Sequence, residues 1–177
     1  IPFVPGFVYI YLICYLFWIV NYVLAAGNGK DYFYRYLSAD LTARLICFLF
    51  FVFFPTTNTR PELVGTSLSV HLLGWLYSID KPANLLPSIH CMNSWFCYIA
   101  VRGRKDIPRW YRIFSFVFAW LIGLSTVFIR QHVVLDIAAG FLLAELMWQF
   151  FGKTKYYKNV RQFYEKINGK IREKLLK

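Results

Sequence analysis

The sequence predicts an all-α fold: a polytopic membrane helix bundle with at least five spans, an interfacial helix and a basic amphipathic C-terminal helix. Hydrophobic residues make up 58% of its 177 residues, whereas a soluble domain is about 45–50% apolar. Several apolar runs approach the roughly 20 residues that a helix needs to cross a bilayer. The basic residues collect in short loops between these runs and after them, as in membrane proteins. We therefore expect a transmembrane bundle over residues 1–152 and a basic tail over residues 153–177.

Turn-forming and charged residues divide the apolar sequence into five predicted spans. The spans cover residues 5–26, 41–54, 88–101, 110–124 and 132–151. Asp40 is the expected N-cap of the second span. Residues 32–37 either extend that helix or lie in the membrane interface, where aromatic side chains are common.

The longest polar stretch covers residues 55–87 and contains one moderately apolar piece, residues 63–77. Glycine, serine and histidine interrupt this piece too often for a full span. A helix that lies in the interface is therefore favoured. His71 is expected on its polar face.

The formal net charge of +11 does not point to a nucleic-acid partner, because the charge follows the loops of a membrane protein. In the tail, apolar residues recur at helical spacing, which predicts an amphipathic helix on an anionic leaflet of the bilayer. A solvated charged helix is the alternative. The apolar residues are Val160, Phe163, Ile167, Ile171 and Leu175.

Basic residues also predict the orientation of the chain. Five of them flank the turn between the third and fourth spans, so this turn and the tail are expected to be cytoplasmic. They are Arg102, Arg104, Lys105, Arg109 and Arg112. The polar segments before the third and fifth spans then share the extracytoplasmic side. Short loops favour a bacterial inner membrane, and we expect a further span before Ile1.

Three features inside the apolar runs have structural interpretations. The four cysteines form no Cys-x-x-Cys pair and are expected to be small buried hydrophobic residues. Glu145 is expected to pair with a polar neighbour inside the bundle, and Gly140 to allow close helix packing.

Two histidines stand at the starts of predicted spans, beside groups that phosphoryl chemistry uses. His132 and Asp136 are four residues apart and share one face of a helix, so the carboxylate can orient the imidazole as a nucleophile. His90 can protonate a leaving oxygen. Groups for binding phosphate oxygens come from Arg60, Arg130 and Ser88. Such a reaction needs no metal and no other cofactor.

These residues, in their order and spacing, resemble the type 2 phosphatidic acid phosphatase superfamily of membrane enzymes. Its motifs are Lys-(six)-Arg-Pro, Pro-Ser-x-His and Ser-Arg-(five)-His-(three)-Asp. Residues 87–90 match the second motif in full, Arg60 and Pro61 match the end of the first, and His132 and Asp136 match the end of the third. The resemblance covers roughly residues 55–151. It implies a metal-independent enzyme with a phosphohistidine-like intermediate and a phosphorylated membrane lipid as substrate.

The chain departs from the family pattern at two basic positions. Phe53 stands in place of the lysine of the first motif, and Thr126 in place of the arginine of the third. Lys81 and Arg130 are candidate replacements, and Asn84 is a further candidate phosphate ligand.

The altered third motif is similar to that of inositol-phosphorylceramide synthases, which transfer a phosphoryl head group between lipids. The resemblance thus implies a phosphatase acting on a lipid phosphate or diphosphate. The alternative is a phosphotransferase that moves a phospho-head group to a lipid or polyol acceptor. A non-catalytic lipid-binding membrane protein is the alternative from another class.

Overall fold

The protein is built from seven α-helices in a computed structural model that describes residues 1–175. A 3-10 turn, Pro5–Phe7, precedes the first helix. The helices are α1 (Val8–Ala26), α2 (Lys30–Phe53), α3 (Leu68–Ile79), α4 (Ile89–Val101), α5 (Arg109–Phe128), α6 (Val134–Thr154) and α7 (Tyr157–Leu175). The predicted all-α membrane bundle is confirmed.

Within residues 1–175, four helical segments are long and apolar enough to cross a membrane. They are Pro5–Ala26, Lys30–Phe53, Arg109–Phe128 and Val134–Thr154. The remaining predicted span is α4, which has only 13 residues and is therefore about 20 Å long. It packs against α1, α5 and α6, and most of its side chains are buried. This short helix therefore lies at the centre of the bundle, surrounded by protein.

The second helix begins earlier than predicted, at Lys30, so residues 32–37 extend it. The prediction that Asp40 is an N-cap is wrong, because Asp40 lies buried inside α2. Its carboxylate accepts hydrogen bonds from the Tyr22 hydroxyl at 2.8 Å and from Arg44 at 2.9 Å. Arg44 also donates to the side chain of Asn93 at 2.9 Å. The partners of the carboxylate lie in α1 and α2, and they allow it within a span, where an unpaired carboxylate would be costly.

Close contacts join α6 to α4. A Cβ atom at Gly140 would lie 2.6 Å from the carbonyl oxygen of Ser88, so only glycine allows the two helices to approach this closely. The carboxylate of Glu145 accepts hydrogen bonds from Arg102 at 2.7 and 2.8 Å. The predicted roles of Gly140 and Glu145 are confirmed, as is the burial of all four cysteines.

The helices alternate in direction, so the polar segments meet at one end of the bundle. At this end the amide of Val4, before α1, donates to the carbonyl of Phe128 at 3.0 Å. The predicted interfacial helix α3 lies here too, and the hydroxyl of Tyr77 donates to the carbonyl of Ile129 at 2.6 Å. The opposite end carries the turn from α4 to α5.

The predicted basic tail contains the helix α7. An ion pair of 2.7 Å between Arg161 and Asp31 joins it to the start of α2. Phe163, Ile167 and Ile171 are exposed on this helix. The end of the predicted tail, residues 176 and 177, lies outside the described residues.

Candidate active site

A tight turn after α5 presents His132. The amides of Gln131 and His132 both donate to the carbonyl oxygen of Thr126, at 2.8 and 3.1 Å. Thr126 is buried, and its hydroxyl donates to the carbonyl of Gly123 at 2.7 Å. Because α6 begins at Val134, His132 lies just before the helix and not on it. The buried turn therefore determines the position of the histidine.

Asp136 holds the imidazole of His132 from the first turn of α6. Its Oδ2 lies 3.2 Å from Nδ1 of His132 and accepts the amide of Val133 at 2.9 Å. The dipole at a helix N-terminus favours a negative charge at this position. Both ionisable side chains are buried. Since Nδ1 faces the carboxylate, Nε2 is the nitrogen left for chemistry.

His90 lies on the first turn of α4, with 6.0 Å between its ring centroid and that of His132. Its Nε2 is 2.7 Å from the hydroxyl oxygen of Tyr11. That hydroxyl donates to Oδ2 of Asp80 at 2.9 Å. A hydrogen-bonded chain therefore runs from Asp80 through Tyr11 to His90.

A cavity of about 210 Å³ brings four of the predicted site residues together. These are Lys81, Asn84, His90 and His132. Asp80 and Gln131 also line this cavity. Two imidazoles, an ammonium group and amide side chains thus line one cavity. This combination suits a phosphorylated ligand.

The loop that carries Lys81 and Asn84 is held against residues 56 and 57. The hydroxyl of Thr56 accepts the amides of Leu85 and Leu86 at 2.9 and 3.2 Å. The carbonyl of Thr56 accepts the amide of Asn84 at 2.8 Å. These bonds keep a polar loop in place beside the cavity.

Arg60 approaches the cavity through Gln131. Its guanidinium donates to Oε1 of Gln131 and, at 3.2 Å, to the carbonyl of Tyr77, over whose ring it lies at 4.2 Å. Burial lowers the pKa of the Arg60 guanidinium and raises the pKa of the Tyr77 hydroxyl. Among the described residues, Nε of Arg60 and Nε2 of Gln131 are buried without hydrogen-bond partners. A phosphate oxygen is a suitable acceptor for such donors.

Besides Arg60, two further predicted phosphate ligands do not line the cavity. Ser88 is buried, and its hydroxyl caps α4 by accepting the amide of Cys91 at 3.3 Å. Arg130 donates to the carbonyl of Ile1 at 2.6 Å. The backbone of Arg130 has a φ of 56°, in the left-handed region. Its side chain therefore does not point in the direction that helical spacing in the sequence predicts.

Tyr11 and Gln131 were not predicted as site residues. Tyr11 is far from the motifs in sequence and reaches His90 only because α1 packs on α4. The sequence carried one signal, because the spacing of Tyr11, Tyr15 and Trp18 places them on one face of a helix. In the structure the rings of all three lie near His90. Gln131 could have been noted as the direct neighbour of His132.

Comparison with known proteins finds one family. The model described as PAP2 superfamily matches residues 47–159, which is more than half of the chain. No curated protein and no solved structure gives a significant match. The matched segment contains the residues that line the cavity and leaves α1 outside. The chain therefore belongs to the PAP2 superfamily, which implies phosphatase or phosphotransferase activity on phosphorylated substrates.

Proposed function

We propose that the protein is an integral-membrane lipid phosphatase that hydrolyses a lipid phosphate or diphosphate through a phosphohistidine intermediate. The observation that carries the proposal is the cavity shared by His90 and His132, with Asp136 bonded to His132. This cavity lies at one end of a bundle of apolar helices. A phosphorylated head group can therefore enter it while the lipid chains stay in the bilayer.

His132 is the proposed nucleophile of the first step. Its Nδ1–H donates to Asp136, so the lone pair on Nε2 attacks phosphorus and forms an N–P bond. The bond between phosphorus and the leaving oxygen breaks, and His90 gives its proton to that oxygen. Asp136 stabilises the positive charge on the imidazole of His132.

Water is the proposed acceptor of the second step. His90 takes a proton from the water molecule while the water oxygen attacks phosphorus. The N–P bond breaks, and inorganic phosphate leaves. Lys81, Asn84 and the unpaired donors of Arg60 and Gln131 are the proposed ligands of the phosphate oxygens. These steps use side chains alone, and an alcohol in place of water would make the reaction a transfer.

Phosphate release from a panel of lipid phosphates tests the proposal, with purified protein in detergent and EDTA present. We expect release by the wild type and loss of release in His132→Ala. The matched control is His71→Ala, because His71 is exposed on α3 and bonds only the carbonyl of Ser67 among the described residues.

Three other results would change the proposal. Movement of a labelled head group to an added lipid or polyol, without phosphate release, would assign a transferase. Inhibition by EDTA would contradict metal independence. Undiminished turnover in His132→Ala would contradict the nucleophile, and no turnover of any kind would favour a non-catalytic lipid-binding protein.

We further propose that the cavity faces the extracytoplasmic side of a bacterial inner membrane, with α7 on the cytoplasmic side. The basic turn between α4 and α5 supports this orientation. Labelling of intact cells with an impermeant maleimide is a direct test, since the native cysteines are buried. We expect Val64→Cys to react in intact cells and Lys105→Cys only after permeabilisation, and the reverse pattern would contradict the orientation.

A further inference from the structure

We propose that the end of the bundle opposite to the candidate active site binds the phosphate head group of an anionic phospholipid. The site is a pocket of about 360 Å³ between the end of α4 and the start of α5. Its lining includes Arg102, Arg109 and Arg112, together with Tyr98 and Phe116. No step of the proposed reaction uses these residues.

The pocket and the candidate active site are separated by the length of α4. His90 lies on the first turn of this helix, and Arg102 follows its last residue. Thirteen helical residues rise about 20 Å. A lipid in the pocket therefore does not contact the two histidines.

The charges in the pocket are only partly compensated. Arg102 is paired with Glu145 through two bonds of 2.7 and 2.8 Å. Arg109 and Arg112 have no carboxylate within 4.0 Å among the residues that the structure describes. The Nε of Arg112 is buried and has no hydrogen-bond partner among the same residues. Two uncompensated cations and an unsatisfied donor make an anion the favoured ligand.

The backbone adds to this preference. α5 begins at Arg109 without a side-chain cap, and the amide of Tyr111 donates to the carbonyl of Pro108 at 3.1 Å, so the amides of Arg109 and Trp110 have no partner within the helix. A helix N-terminus carries a partial positive charge and binds phosphate groups through these amides. The arginines and the helix terminus therefore act on the same anion.

The walls of the pocket point to a lipid and not to a soluble anion. The ring of Phe116 packs against that of Tyr98, with 5.1 Å between centroids. Ile113 and Phe116 are also exposed on the outer face of α5, which is one of the candidate spans. An apolar surface thus continues from the pocket along the helix, where an acyl chain can lie. Basic pockets of this type at the cytoplasmic surface suit the head groups of anionic lipids.

Native mass spectrometry of the full chain in detergent tests the proposal, with dioleoyl phosphatidylglycerol and dioleoyl phosphatidylcholine as probes. We expect the wild type to bind phosphatidylglycerol more tightly than phosphatidylcholine. The double variant Arg109→Gln/Arg112→Gln should bind phosphatidylglycerol about thirtyfold more weakly, since each basic residue near the surface contributes to anionic-lipid binding.

The control compares Arg130→Gln with Arg112→Gln, since each removes one positive charge and Arg130 does not line the candidate active site. Arg130→Gln should keep the affinity of the wild type for phosphatidylglycerol, and Arg112→Gln should lower it. A loss in Arg130→Gln, without one in Arg112→Gln, would assign the lipid to the other end of the bundle and overturn the proposal. Equal binding of both lipids, or unchanged binding by Arg109→Gln/Arg112→Gln, would also overturn the proposal.

Two further arms complete the design. Displacement of phosphatidylglycerol by equimolar inorganic phosphate would assign the pocket to free phosphate and overturn the lipid. Should the glutamine variant unfold, Arg109→Lys/Arg112→Lys keeps the charge and is compared with Arg109→Lys/Arg112→Gln. We expect the first of these to bind more tightly, and equal affinities would contradict a role for Arg112.

Discussion

The hydroxyl oxygen of Tyr11 lies 2.7 Å from Nε2 of His90. Tyr11 belongs to α1, outside the segment that matches the PAP2 superfamily, whereas His90 is in its Pro-Ser-x-His motif. The same hydroxyl donates to Asp80. A residue of the first helix is thus joined to the proposed acid of the reaction.

We expect Tyr11→Phe to lower kcat about tenfold with little change in KM. The hydroxyl orients His90, and general acid–base catalysis contributes about 10²–10⁴-fold when it is fully effective. Steady-state kinetics of lipid phosphate hydrolysis measure both constants. Tyr9→Phe on the exposed side of α1 is the control and should leave kcat unchanged. Equal rates for Tyr11→Phe and the wild type would show that the bond does not contribute to turnover.

Asp136→Asn should reduce kcat by about 10²–10⁴-fold, because the carboxylate orients His132 and stabilises its positive charge. The measurement is kcat in the same assay. Combining Asp136→Asn with His132→Ala should add little to the effect of His132→Ala alone, since the two residues act as a unit. Asp106→Asn in the exposed turn before α5 is the control, and a similar loss there would point to a general effect of charge.

Arg60→Lys tests the contact with Gln131. Lysine keeps the charge, but it cannot bond Gln131 and the Tyr77 carbonyl together while stacking on the Tyr77 ring. We expect KM for a lipid phosphate to rise about tenfold, the equivalent of about one lost charge-assisted hydrogen bond. Arg172→Lys on the exposed part of α7 should change neither constant. An unchanged KM in Arg60→Lys would separate Arg60 from substrate binding.

Gly140→Ala should destabilise the bundle by about 1–3 kcal/mol, because the new Cβ would meet the carbonyl oxygen of Ser88. Thermal unfolding in detergent reports this as a lower Tm. Gly169→Ala is the matched control, since a Cβ at Gly169 meets nothing within 4 Å and alanine favours the helix α7. A Tm for Gly140→Ala equal to that of the wild type would mean that α4 and α6 can separate without cost.

Several features of the protein follow from neighbouring residues and could therefore be predicted. Apolar runs of suitable length identify the spans, because the bilayer sets the length of a helix. The pairing of His132 with Asp136 follows from four-residue spacing near a helix start. The positions of His90 and Lys81 at one cavity agree with the expectation that the polar segments meet at one face of the membrane.

Other features depend on which helices pack together. The start of α2 at Lys30 was missed because its polar residues find partners in α7, such as Arg161 for Asp31. Asp40 resembles an N-cap in the sequence, yet its partners lie in α1 and α2. Spacing alone could not identify either set of partners.

By itself, the sequence determined the helical membrane class and the two histidines, since hydrophobic length and short motifs are local properties. Only the tertiary structure decided that Tyr11 bonds His90, that Gln131 links Arg60 to the cavity, and that Arg130 does not line it. The physical reason is that packing brings together residues distant in sequence, and one left-handed residue redirects a side chain from the path that helical spacing predicts.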